Sequence, residues 1–257
     1  MDDWLLNRCQ CEILRESSFW RFIEDGQGIK IMLRRKSENM IVRATFLIGA
    51  DGPSSLIRNQ TCQKPLIQKY ITFQEWIKSN RELDDMVHLI YDNRISDVPS
   101  WVIPKNEFVL VGAAFKDLSV KKFDILRRLL RRRLKIEGKS MKKQFHPICR
   151  PKSIDEILFG RGHVILVGEA AGLIDPSSGD GVSFALRSGF NCAQALNIDQ
   201  QNPLSQYAVL CNPLLKEIEK GFKWADIISD PSKRLERFFK ADKPSNYPSK
   251  FRNLEQF

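Results

Sequence analysis

The chain has 257 residues, with 41 Lys and Arg against 31 Asp and Glu, a formal net charge of +10. Apolar residues make up 42% and charged residues 28%, near globular averages, which excludes fibrous, collagen-like and wholly disordered classes. The longest clean apolar run, Phe108–Phe115, falls far short of the ~20 residues that cross a bilayer as a helix. The start, Met1-Asp2-Asp3-Trp4, is acidic and lacks the positive region of a secretory signal, so a cytoplasmic location is expected. Cys9, Cys11, Cys62, Cys149, Cys192 and Cys211 are then expected as reduced thiols. Neither they nor His88, His146 and His163 stand at metal-ligand spacing, so no metal site is expected.

In chain order, Gly28–Leu33 and Met40–Leu47 read as strands, the first entered through the turn Asp25-Gly26-Gln27-Gly28. The second run continues to Ile48 and stops at Gly49-Ala50-Asp51-Gly52-Pro53. Ser54 or Ser55 is then available to cap a helix through Leu56-Ile57-Arg58. From about Leu66 to Ile148 the pattern changes. Lys69–Phe73, Met86–Tyr91, Ser100–Ile103 and Phe108–Phe115 are short strand-like runs with turns between them, the signature of an antiparallel sheet. Lys121–Ile136 has helical period and is strongly basic.

The last part returns to α/β character. Val164–Val167 reads as a strand buried on both faces, running into Gly168-Glu169-Ala170-Ala171-Gly172. A helix is expected from Val182 to about Ala195, with others over Pro203–Ile218, broken at Pro213, and Phe222–Phe239. The tail after Ala241 is expected to be loosely held. The fold class is therefore α/β, α+β overall: residues 1–65 and 149–257 form a partial nucleotide-binding layer, and 66–148 an antiparallel sheet inserted into it.

Both glycine-rich loops follow apolar strands, where parallel sheets place ligands and where helix N-termini present free N–H groups. Read whole, Phe46–Arg58 resembles the Asp-Gly motif of FAD-dependent hydroxylases and geranylgeranyl reductases. Val164–Gly172 with Asp175-Pro176-Ser177-Ser178-Gly179-Asp180-Gly181-Val182 is similar to the second FAD motif of the same superfamily. Trp101–Lys105 before Val111-Gly112, and Asp3–Leu6, resemble landmarks of the geranylgeranyl-reductase branch.

The resemblance implies a partial FAD-binding, Rossmann-like layer, with FAD as cofactor and NAD(P)H or a reduced carrier as electron donor. It implies that Asp51 and Gly52 lie near the pyrophosphate and ribityl side. Glu169, between Gly168 and Ala170, stands where the family has a ribityl-binding Asp, with one methylene more. Pro176, Gly179, Gly181 and Val182 would lie beside the isoalloxazine ring, and Arg58 would be structural. No catalytic side chain is implied; Cys149 and His146 are the available groups.

One departure is plain. Three Gly-x-Gly pairs occur, Gly26/Gly28, Gly160/Gly162 and Gly179/Gly181, and none has glycine three residues later. The βαβ unit that holds the ADP half of FAD in the family is not found. The chain is therefore expected to bind FAD weakly or not at all by itself, as a truncated product, a sequence with a mis-called start, or one half of a split protein with a separate nucleotide-binding chain. The first reading is hydride transfer through flavin to an apolar, prenyl-like small molecule or lipid. The alternatives are a flavin monooxygenase or halogenase, and a cofactor-free remnant or partner subunit. Arg127–Arg133 offers contact with an anionic membrane surface; nucleic acid is not favoured, because no recognition motif accompanies the charge.

Overall fold

The structure, a computed structural model, describes residues 2–26, 28–62, 67–79, 86–117 and 119–239. The expected tail after Ala241, the central turn residue Gln27 and the expected sheet boundary at Leu66 lie outside the described residues. After a short helix α1 (Asp2–Leu6), the chain forms an antiparallel meander of β1 (Ser17–Glu24), β2 (Ile29–Arg35) and β3 (Glu38–Ala44). Ile29 and Ile31 of β2 point into the main core, while their neighbours Lys30 and Met32 stay half-buried, the alternation expected of a strand with one covered face.

The single strand expected over Ile41–Ile48 is two strands in two sheets. β3 ends where its pairing with β2 ends, at Ala44 opposite Ile29. The Leu47 N–H then donates to the His163 carbonyl (3.0 Å), and β4 (Leu47–Gly49) joins a different sheet. A partner more than a hundred residues away decides the break.

A 3-10 turn (Gly52–Ser54) and α2 (Leu56–Thr61) follow. Then come β5 (Lys69–Ser79), β6 (His88–Ile90), β7 (Ser100–Lys105), β8 (Phe108–Phe115), α3 (Val120–Leu129) and β9 (Gly138–Cys149). The five strands form one antiparallel sheet in the order β6-β7-β8-β5-β9. Helix α3 covers one face, burying Leu126 and Leu130 against Phe73, Ile77, Val109 and Val111. The helix is shorter than its basic pattern suggested. It widens into a π turn over Leu130–Leu134, and Lys135, in the left-handed region (φ 55°), turns the chain into β9.

The chain then forms β10 (Gly160–Arg161), β11 (Val164–Leu166), α4 (Gly168–Ala171), α5 (Val182–Ile198), α6 (Pro203–Leu210), α7 (Asn212–Ser229) and α8 (Pro231–Phe239). β11 lies between β10, antiparallel, and β4, parallel, and all three of its residues are fully buried. The main core gathers these residues with Phe184, Ala195, Tyr207, Leu214 and Ile218 from the helices. Tyr207 donates its hydroxyl to the Leu166 carbonyl (3.0 Å), fixing α6 beneath β11. Pro213 does separate two helices, opening α7; α7 itself runs unbroken past Phe222, and Pro231 marks the next boundary. The architecture is mixed α+β.

Candidate functional site

β4 and β11 run parallel in the register Leu47↔Val164, Ile48↔Ile165, Gly49↔Leu166, and the Val167 N–H donates to the Gly49 carbonyl (3.0 Å). Both strands therefore end at the same height, and the turns that follow them emerge side by side. One small crevice is lined by Gly52, Pro53 and Ser55 from the first turn, by Glu169 from beyond the second strand and by Cys149 from the end of β9. In open α/β sheets, this carboxyl end of parallel strands is where ligands bind.

The first turn is built by its own side chains. Asp51 Oδ2 accepts from the Leu56 and Ile57 N–H groups (2.8 and 3.3 Å), holding the entry to α2. Ser55, the N-cap, accepts from Arg58 N–H (2.8 Å), as the sequence allowed for Ser54 or Ser55. Gly52 has φ +73°, which an L side chain adopts only with strain. Arg58 is buried and donates to the carbonyls of Ala170 (3.1 Å) and Glu156 (2.5 Å), tying α2 to α4. Burial lowers its pKa, with Cys149, Cys62 and Glu156 opposing. Its role is to hold the two turns together.

In the second turn, Glu169 Oε1 accepts the Cys149 N–H (3.0 Å) at the end of β9. Burial pushes its carboxyl above the ordinary glutamate range, and that hydrogen bond opposes the rise. The Cys149 thiol donates to the Pro53 carbonyl (3.6 Å) and is pushed up to about 12, by burial first and the Glu169 charge second. It is a protonated thiol at neutral pH and not a nucleophile. The Gly168 N–H donates to Ser188 Oγ (2.9 Å) on α5, and Ala170 is fully buried.

Beyond Gly172 the loop closes on itself. Asp175 Oδ1 accepts from the Ser177 N–H (2.7 Å), the Ser177 hydroxyl (2.6 Å) and the Ser178 N–H (3.1 Å), and the Gly179 N–H returns to the Asp175 carbonyl (2.9 Å). Helix α7 presses on this loop: a Cβ at Gly221 would stand 2.7 Å from Pro176 Cδ, so only glycine admits the approach. Gly181 comes back beside Glu169, its Cβ direction 3.7 Å from Glu169 Cγ, and α5 starts at Val182. The first-turn N–H groups of α5 have no partner within the helix, and the Ser183 N–H reaches Asp180 Oδ1 at 3.5 Å.

A latch invisible in the sequence joins this loop to the five-stranded sheet. Arg150, just past β9, donates from Nε to the Pro176 carbonyl (3.0 Å) and from one terminal nitrogen to the Tyr70 hydroxyl (2.8 Å) and Asp97 Oδ2 (3.0 Å). Tyr70 donates to Asp97 Oδ2 (2.8 Å), and Lys116 reaches the same oxygen (3.0 Å). Burial alone would raise the Asp97 carboxyl, yet hydrogen bonds from Lys116 and Tyr70 and the Arg150 charge hold it below its ordinary value. Burial, then the bond to Asp97, raises Tyr70. Ile148, on the sheet face opposite α3, lies against Gly179, 3.7 Å from its Cβ direction. His146 is exposed on the same strand, with its carbonyl accepting from Thr72 Oγ1 (2.8 Å). Among the described residues no group of three His, Cys, Asp or Glu is placed to hold a metal.

Set against known proteins, the FAD-binding domain family matches residues 1–201, and the chain belongs to that family. Curated relatives include Protein CbrA of Escherichia coli O9:H4 (strain HS), 29% identical over 179 residues, 69% of this chain and 48% of the relative. Protein CbrA of Shigella dysenteriae serotype 1 is 30% identical over 184 residues, 71% of this chain and 49% of the relative. The chain thus spans about half the length of the curated relatives it matches. Among solved structures, a geranylgeranyl bacteriochlorophyll reductase-like protein from Thermoplasma acidophilum superposes with TM-score 0.74 at 20% identity, over 85% of this chain and 59% of that one. Klebsiella pneumoniae HpxO, solved with FAD and uric acid, gives 0.63 at 17%, over 86% and 60%. The flavin-dependent halogenase CmlS gives 0.61 at 18%, over 80% and 40%. These likenesses share the fold.

Proposed function

We propose that the chain holds the ribityl and ring end of FAD and that, in the working protein, it serves a flavin-dependent oxidoreductase acting on an apolar substrate. The observation that carries this reading is the delivery of the Asp51-Gly52 and Glu169 turns into one crevice by a parallel strand pair. The residues fit the group. A mostly buried carboxylate with one oxygen engaged lines the crevice, beside a glycine turn and the N-terminus of a seventeen-residue helix.

In this reading residues 1–65 and 149–257 hold the cofactor and 66–148 form the bed for the substrate. The flavin, when bound, supplies the hydride chemistry, refilled by NAD(P)H or a reduced carrier. Glu169 accepts from ribityl hydroxyls, and first-turn N–H groups of α5 favour negative charge at the ring edge. Pro176 and the Arg150 latch fix the loop against the sheet and so set the distance between ring and substrate. Cys149 stays protonated and keeps the crevice floor closed. The exposed edge of β4 would take the strand of a nucleotide-binding unit, on this chain or a separate one, to complete the ADP end.

A second reading, oxygen-using hydroxylation or halogenation, draws on the polar side of the sheet. There the Trp76 indole donates to Gln144 Oε1 (3.0 Å), which Gln74 also reaches (3.3 Å). Such donors suit a ring-bearing substrate. Titrating the protein with FAD, read by quenching of flavin fluorescence, tests the cofactor reading. Saturable binding that Glu169→Ala weakens about tenfold, as for one lost charged hydrogen bond, is the expected result. Binding indifferent to Glu169→Ala would overturn it, and no binding even at high FAD concentration would favour a cofactor-free subunit. Oxygen consumption coupled to product would replace the reductase reading by the second one.

A further inference from the structure

The basicity of the chain is concentrated. Residues 121–145 contain eleven Lys and Arg against two Asp and Glu, a net +9, while all 257 residues net +10. The fold assembles this tenth of the sequence into one unit, α3 with its π extension and the edge strand β9. Phe73 joins them at the centre, 4.1 Å from the Phe123 ring of α3 and 4.6 Å from the Phe145 ring of β9. Lys143 stands opposite Glu75 in the strand register, and Arg127 reaches the Glu75 carboxylate from the helix (3.6 Å).

Glu75 pairs with Arg127, and Glu137 with Arg131 (3.2 Å). Arg128, Arg132 and Lys143 are exposed around them, while Lys139 and Lys142 stand on the other face of the edge strand, opposite Lys78 and Trp76. Within this basic field two large apolar side chains also face solvent. Phe145 is 51% exposed, and Met141, the extra residue where the β5–β9 register shifts, is 52% exposed. Lysines on an edge strand guard it against pairing with other strands. That purpose accounts neither for the arginines of α3 nor for a bare Met and Phe among them. Cations around exposed apolar side chains match the lipid–water interface, where headgroup phosphates meet acyl chains.

We propose that the α3–β9 face docks the protein on an anionic phospholipid bilayer. Arg128, Arg132 and Lys143 meet headgroup phosphates and carboxylates, and Met141 and Phe145 enter the boundary with the acyl chains. The inference is independent of the flavin reading. Nucleic acid fits less well, because no recognition motif accompanies the charge.

Sedimentation of the whole chain with vesicles tests it. Binding is expected to vesicles of phosphatidylcholine mixed with phosphatidylserine, to be absent with phosphatidylcholine alone, and to be lost near 1 M salt, where the screening length is about 3 Å. Each basic residue near the surface is worth about fivefold in partitioning, so Arg128→Gln/Arg132→Gln/Lys143→Gln should weaken binding on the order of 100-fold. Met141→Ser should weaken it a few-fold. All four side chains are exposed, and unchanged melting temperatures verify folding; if the triple variant misfolds, the wild-type salt and lipid comparisons with Met141→Ser decide. Equal binding to both vesicle types, no binding, wild-type binding by the folded triple variant, or tighter binding of an RNA oligonucleotide than of the vesicles would each overturn the proposal.

Discussion

Glu169 is held in the crevice at the expense of its own charge. Burial lifts its carboxyl above the ordinary value, and the Cys149 N–H only partly opposes this. A carboxyl whose folded-state pKa exceeds its unfolded one contributes most below the unfolded pKa, and loses that contribution as pH rises through the folded one. Glu169→Gln keeps an acceptor for the Cys149 N–H and removes the buried charge. It should therefore melt higher than the wild type at neutral pH, with the difference vanishing in acid below the ordinary glutamate range; calorimetry across pH checks this. Cys149 gives a second test. With its thiol pushed up to about 12, it should resist alkylation at neutral pH while the exposed Cys9 and Cys11 react, as peptide mass mapping would reveal.

At the scale of elements, caps and pairs carry distinct energies. Ser55→Ala removes the N-cap bond of α2 and should cost about 1 kcal/mol in denaturant unfolding. Glu75 is fully buried on β5. Its oxygens lie beyond hydrogen-bond distance of any partner, and its nearest cation is Arg127 at 3.6 Å. Removing Arg127 alone strands that charge, so Arg127→Ala should cost about 3 kcal/mol, and Arg127→Ala/Glu75→Gln should recover most of it. The elements legible in sequence were those with one unambiguous environment: β8 and β11, buried throughout, and α5, opened by its glycine loop. β1 and β9 escaped notice because most of their residues are in water, and the charged ones, above all the lysines of β9, mask any apolar period. The break between β3 and β4 was illegible for another reason: the run is apolar throughout, and His163 decides where it parts.

At the scale of the molecule, two turns more than a hundred residues apart in sequence share a crevice because β4 and β11 are parallel neighbours. Their motifs were readable in the chain through family resemblance, which made Arg58 structural; that it bridges α2 to α4 only the structure reveals. The Arg150–Asp97–Tyr70 latch was not, since its members belong to three segments with no common pattern and meet only through the sheet. Arg150→Ala should leave the sheets intact and loosen the Pro176 loop, raising the dissociation constant for FAD without changing far-ultraviolet circular dichroism. The central claim is that both turns embrace one flavin, and hydrogen exchange with and without excess FAD tests it most directly. Slowed exchange at the 51–56 and 168–183 backbones together, with the α8 backbone unchanged, is the predicted result. Protection confined to one turn, or spread over surfaces away from both, would contradict the account.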